Sequence, residues 1–172
     1  MEDASRIKEA LDRNVKAVTL RPSVGQGTAK TKATLKAGLA VDVEEGPYRL
    51  TVGMHEKYGG TNAGPNPGVF GRASLASCLA IGYGMWAARL GVPIDSLEVV
   101  VEADYDVRGE LGVSDDVHPG YLEMRYVVHV TSPAPRADVE RMLATAEKCS
   151  SYVDNFARAV PVRRDVHITT SG

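Results

Sequence analysis

Between Asp3 and Val18 the apolar residues Ile7, Ala10, Leu11, Val15 and Val18 recur at helical spacing among charged ones, which predicts a short amphipathic helix. It reads as an appendage or packing arm. From Gly27 the period shortens to alternation: Thr28, Lys30, Lys32 and Thr34 interleave with small and apolar residues, followed by Leu39–Val43 and Tyr48–Val52. Turn chemistry at Lys36-Ala37-Gly38 and Glu45-Gly46-Pro47 joins these runs into a three-stranded antiparallel meander. His55 to Gly68 is rich in Gly and Pro, too broken for regular structure, and contains Pro67, a favoured first helical residue.

A helix is predicted from Pro67 to about Leu90, where Gly91-Val92-Pro93 stops it. Within it, Ala73 to Ala88 carries no charge at all. A helix with no polar face must be covered all round, and one sheet plus one amphipathic helix from the same chain would struggle to do so. Ala73, Ser74, Ala76, Ser77, Ala80, Gly82 and Gly84 are small enough for another helix to approach closely. A homodimer whose long helices share one core is the expectation.

Ser96–Val107 and Tyr121–Thr131 alternate as two long strands, linked by RGELGVSDDVHPG. From Pro135 to Cys149, Val139, Met142, Leu143, Ala146 and Cys149 fall on one helical stripe opposite Arg136, Asp138, Glu140, Arg141 and Glu147, so Cys149 is expected to look inward. A short helix over Tyr152–Ala159 and a last strand over Val162–Thr169 complete the order. With few strand-helix-strand alternations, the class is α+β. No internal repeat or second domain is evident.

Composition narrows the function. At 172 residues, 44% hydrophobic and 24% charged, the chain suits one globular core, and a net charge of -2 offers no basic excess for nucleic acid or an anionic membrane. The uncharged run is shorter than the roughly 18 to 20 apolar residues a bilayer crossing needs. The opening MEDASRIKEALDRNVKAV mixes both charge signs and lacks a secretory apolar core, so a cytoplasmic location is expected. His55, His118, His129 and His167 are scattered without ligand spacing, so neither a metal nor a cofactor is expected. The glycines of YGGTNAGPNPG belong to no phosphate-loop pattern and read as a turn-rich lead into the helix.

Two cysteines, Cys78 and Cys149, are too few for a disulfide scaffold. Either alone is most simply a small buried hydrophobe. Both, however, fall on predicted core-facing helical surfaces, and a pair permits chemistry. A thiolate lowered from its ordinary pKa of about 8.5 by a cation or hydrogen bonds attacks a peroxide, and a second thiol resolves the sulfenic acid as a disulfide. Packing and redox chemistry both stay open on the residues alone.

GGTNAGPNPG…ASLASCLAIGYGMWAARLGV, then Leu97 to Val107, RGELG, HPGYLEMRYVVHV and AEKCSSYVDNFARAVPV, resembles the OsmC/Ohr family of osmotically induced and organic-hydroperoxide-resistance proteins. The resemblance spans roughly residues 27 to 170, leaving 1–26 as an N-terminal helical extension to a domain over 27–172. It implies an α+β intertwined homodimer with antiparallel sheets wrapped around two long central helices. It also implies a cysteine-dependent peroxidase of organic hydroperoxides, with Cys78 peroxidatic, Cys149 resolving, and a dithiol reductant such as a dihydrolipoyl protein.

The chain departs from the family where activation matters. Active members carry a glutamate after the Asn-Pro of the helix start, paired with an arginine from the first hairpin; here Asn66-Pro67 is followed by Gly68. Lys36 and Arg49 are candidate replacements for the cation, although an ammonium cannot reproduce a guanidinium's planar fork. Arg72 lies on roughly the opposite helix face from Cys78 at about 100° per residue, so direct contact is not expected. Met54, Phe70, Met85 and Trp86 read as core and dimer contacts, or else as an apolar pocket for an acyl tail. The competing function is a non-enzymatic dimer of the same fold that binds a small hydrophobic molecule.

Overall fold

The computed structural model describes residues 2–170. Helix α1 (Glu2–Leu20) is followed by the meander β1 (Lys32–Leu35), β2 (Val41–Glu45) and β3 (Tyr48–Val52). The long helix α2 (Pro67–Leu90) comes next, then β4 (Ser96–Tyr105), a single turn α3 (Val107–Glu110), β5 (Tyr121–Thr131), α4 (Arg136–Lys148) and α5 (Ser151–Ala157). The result is an α+β fold with two antiparallel sheets, β1-β2-β3 and β4-β5.

Local chemistry sets the bounds of α2. The Asn66 side chain accepts a hydrogen bond from the Val69 N–H at 3.1 Å and Pro67 occupies the first position, where its missing donor costs nothing. Gly91, at φ 69°, ends the helix in the left-handed conformation that favours glycine. The segment ahead of α2 is a tight loop rather than a cradle. A Cβ on Gly60 would meet the Met54 carbonyl oxygen at 1.9 Å, and one on Gly64 the Thr51 oxygen at 2.3 Å, so only glycine permits these backbone approaches.

Leu75, Leu79, Tyr83 and Ala87 recur every four residues along α2 and form the buried stripe. They pack on Val139, Met142 and Ala146 of α4, with Val92 beneath them. The inner face of the hairpin, including Leu97, Val99 and Val101 of β4 and Met124, Tyr126 and Val128 of β5, closes the other side. The expected burial of α2 all round is not met within one chain: Ser77 and Gly84 are exposed and Ile81 is 62% exposed. The meander is likewise uncovered, with no residue of its strands buried and Leu35 68% exposed.

Helix α1 packs along α2, and its Asp12 carboxylate lies 3.5 Å from the Arg89 guanidinium. Two predicted elements differ. The strand expected to run to Val107 ends at Tyr105, because the Asp106 side chain accepts from the Arg108 N–H at 3.0 Å and starts α3. The strand expected over Val162–Thr169 does not form; residues 158–170 are irregular, with Val162 93% and Ile168 84% exposed. Alternation alone makes no strand, and this segment has no strand of its own chain beside it to complete a ladder. No described helix is long and apolar enough to cross a membrane.

Candidate functional site

Cys78 lies near the middle of α2, half-buried, where the α4–α5 junction passes over the helix. Its Sγ is 3.5 Å from Ser150 Oγ and 3.6 Å from Ser151 Oγ. Ser150 is buried and also caps α5, accepting from the Val153 N–H at 3.3 Å. Desolvation pushes the Cys78 thiol up, but the Ser150 hydroxyl, the Tyr152 backbone N–H and both the hydroxyl and N–H of Ser151 together outweigh it. The thiol is held below its ordinary range because these donors favour the thiolate.

Cys149 does not look inward as its helical stripe predicted; it is exposed. Helix α4 ends at Lys148, and Cys149, at φ −103° and ψ 7°, turns out of the helix, so Ser150 takes the inward position instead. Both cysteines are free thiols, and the groups bonded to Cys78 Sγ are hydroxyls rather than the second sulfur. Cys149 is nevertheless the residue next to Ser150, so both thiols belong to one corner of the molecule.

The cationic candidates lie in other ion pairs or hydrogen bonds. Lys36 Nζ pairs with Asp42 at 3.3 Å, and Arg49 pairs with Glu44 at 3.2 Å while donating to the Gly46 and Tyr48 carbonyls. Arg72 reaches away from Cys78 and donates to Tyr121 Oη at 3.4 Å. The Tyr121 hydroxyl donates in turn to the Gly68 carbonyl at 2.9 Å. A Cβ at Gly68 would lie 3.3 Å from Arg72 Nη1 and 3.5 Å from Tyr121 Oη. The first turn of α2 is thus braced at Gly68 by a tyrosine and a guanidinium.

Gly68 and Arg72 also line a cavity of about 1010 Å³ with Leu39, Met54, Tyr58, Val101 and Tyr105. Of the four apolar pocket candidates only Met54 lines it. Trp86 packs against the core with the Arg89 guanidinium 5.0 Å from its ring, Phe70 is half-buried elsewhere, and Met85 is exposed. Among the described residues no group of three or more His, Cys, Asp or Glu is placed to hold a metal ion. Sequence reasoning missed Ser150, Ser151 and Tyr121. A serine just before a helix is a capping signal, but the helix predicted from Tyr152 would give that place to Ser151, whereas α5 starts at Ser151 and Ser150 is its cap; nothing local marks Tyr121.

Comparison with known proteins agrees with this architecture. The family described as OsmC-like protein matches residues 60–164. A search of the curated proteins finds no match. Among solved structures, an OsmC-like protein from Mycoplasma pneumoniae is similar with a TM-score of 0.66 at 14% identity, over 77% of this chain and 89% of that one. A hypothetical protein from Aquifex aeolicus aligns with a TM-score of 0.59 at 11% identity, over 75% and 86% of the two chains. An organic hydroperoxide resistance protein, OsmC, from Legionella pneumophila gives a TM-score of 0.55 at 19% identity, over 74% and 88%. With more than half its length matched and the α+β architecture shared, the chain belongs to the OsmC-like protein family.

Proposed function

We propose that this protein is a thiol peroxidase acting on organic hydroperoxides as a homodimer. The observation that carries the reading is Cys78, a half-buried thiol held below its ordinary pKa beside the segment that bears the second cysteine. The Cys78 thiolate attacks one peroxide oxygen, the O–O bond breaks, and the departing alkoxide takes a proton to leave as the alcohol. Cys78 is then a sulfenic acid. The Cys149 thiolate attacks that sulfur, water leaves, and a Cys78–Cys149 disulfide forms. An external dithiol, such as a dihydrolipoyl group, reduces it by two exchange steps and is itself oxidised to a disulfide. The uncovered faces of α2 and the meander support the homodimer, because a second copy would cover apolar groups such as Ile81 and Leu35.

Purified protein with cumene hydroperoxide and dihydrolipoamide tests this. Wild type consumes peroxide, Cys78→Ser does not, and Cys149→Ser completes one turnover per thiol and then stalls. Equal consumption by all three overturns the proposal. A second reading, a non-enzymatic dimer holding a small hydrophobic molecule, is favoured by the roughly 1010 Å³ cavity and by Gly68 in place of a carboxylate. It requires no consumption in any of the three proteins together with saturable binding of an apolar probe.

A further inference from the structure

The thiol reaction proposed above needs a group that makes Cys78 a nucleophile, and among the described residues no guanidinium supplies it. We propose that the hydroxyls of Ser150 and Ser151 are the positioning groups for the Cys78 thiolate, so that the α4–α5 junction does the work that a carboxylate–arginine pair does elsewhere in the family.

Geometry carries this. Two hydroxyls lie 3.5 and 3.6 Å from one sulfur, distances suited to hydrogen bonds involving the larger sulfur atom. Ser150 is oriented by its other bond: its oxygen accepts from the Val153 N–H, which leaves its own hydrogen free to point at Cys78. Burial holds that hydroxyl in place, whereas Ser151 approaches from the exposed side. A thiolate accepts from both, while a neutral thiol gains less, so the pair selects the charged form.

Apart from Lys148, the charged groups on the packed helices have partners other than Cys78. On α2, Arg72 donates to Tyr121 and Arg89 faces Asp12 of α1. On α4, Glu147 accepts from the buried Tyr83 hydroxyl at 2.8 Å, Arg136 pairs with Glu140 and Arg141 with Asp138. Lys148 is exposed at the end of α4, and Asp154 of α5 pairs with Arg158. The β4 carboxylates Glu98, Glu102 and Asp104 lie on the exposed sheet face, the last two paired with Arg125. Among the described residues, no charged side chain contributes to holding the thiol down.

The test reads the thiolate directly. In a Cys149→Ser background only Cys78 alkylates, so the pH dependence of its reaction with iodoacetamide gives the thiol's midpoint without reference to peroxide. Removing both hydroxyls by Ser150→Ala with Ser151→Ala should raise that midpoint by about one unit, the scale of losing hydrogen bonds to a charged acceptor that is partly solvated. Ser151→Ala alone should raise it by less, and it leaves the α5 cap intact. Ser150→Thr, which keeps both hydroxyl and cap, should restore the parent midpoint. An unmoved midpoint in the double variant, or an equal shift in Ser150→Thr and Ser150→Ala, overturns the proposal. The outcome separates from that of the peroxidase reading: a shifted midpoint in a protein that consumes no hydroperoxide keeps the serine pair and removes the reaction, and the reverse removes the serine pair alone.

Discussion

Replacing Gly68 with glutamate introduces a carboxylate directly after Asn66-Pro67, and the local geometry sets what it should do. Gly68 is the second residue of α2, so a carboxylate there faces unpaired helix N–H groups, worth about 0.3–1 kcal/mol. Removing a helical glycine contributes a further 0.5–1 kcal/mol or so. The new Cβ would sit 3.3 Å from Arg72 Nη1 and 3.3 Å from Asn66 Oδ1. The guanidinium is the free end of a flexible side chain and can yield by the few tenths of an ångström required, then pair with the carboxylate. The Asn66 contact subtracts, because that oxygen caps the helix. The net expectation for Gly68→Glu is a gain of about 1 kcal/mol, or roughly 2–4 °C in Tm for a chain of this size.

Gly68→Gln provides the control for volume and propensity. The charged part of the gain should obey linkage: a carboxylate held by Arg72 has a folded pKa below its unfolded value of about 4.3, so its contribution is present above that value and lost as pH falls through the lower folded one. Urea midpoints measured at pH 7 and near pH 3 should show Gly68→Glu above Gly68→Gln at the first and level with it at the second. A glutamate variant no more stable than the glutamine variant at pH 7 would refute the placement of Arg72 against the first turn.

Other substitutions test separate parts of the structure. Met142→Ala, at a fully buried position between α2 and α4, should cost about 2–5 kcal/mol in chemical denaturation. Tyr83→Phe removes the hydroxyl that donates to Glu147 and should cost about 1–3 kcal/mol by the same measurement, since the carboxylate is left short of a donor. The Asp106 carboxyl is held at about 2, chiefly by its hydrogen bonds from Arg108. Its contribution to the α3 turn is therefore present above the unfolded aspartate pKa and lost only as pH falls through about 2; the NMR titration of Asp106 should have its midpoint there, and one near 4 would contradict the contact. Sedimentation should find a dimer at micromolar concentration, and Ile81→Arg, placing a charge on the uncovered face of α2, should shift it to monomer; a wild-type monomer stable on dilution would remove the homodimer.

What the sequence revealed, it revealed through local chemistry. Asn66-Pro67 and Gly91 bracket α2 because capping and left-handed termination are decided within a few residues, and the meander's turns are legible for the same reason. Cys149 falls on the inward stripe only if the helix continues one residue further than it does; past Lys148 periodicity says nothing about direction. Val162–Thr169 has the alternation of a strand, but pairing is a property of two segments, and the second is absent from this chain's own sheets. Tyr121 bracing Gly68 and Ser150 touching Cys78 join positions 53 and 72 residues apart, and no local pattern encodes such meetings.

The α4–α5 junction then has two incompatible duties in the proposed reaction. Ser150 holds the Cys78 thiolate while its neighbour Cys149 points to solvent, so the resting arrangement favours attack on peroxide and withholds the resolving thiol. A disulfide brings its two Cα atoms within about 7 Å, and pulling Cys149 onto Cys78 would have to displace the adjacent serine from the sulfur. Ser150 is also the cap of α5, a helix of only 7 residues, so that displacement removes the Val153 hydrogen bond from an element with little to spare. Resolution should therefore be accompanied by loosening of α5. Hydrogen exchange at the Val153 and Asp154 amides should quicken in the oxidised protein relative to the dithiol-reduced one and stay unchanged on peroxide treatment of Cys149→Ser. Equal protection in the oxidised and reduced forms would mean that the two thiols meet without moving the junction.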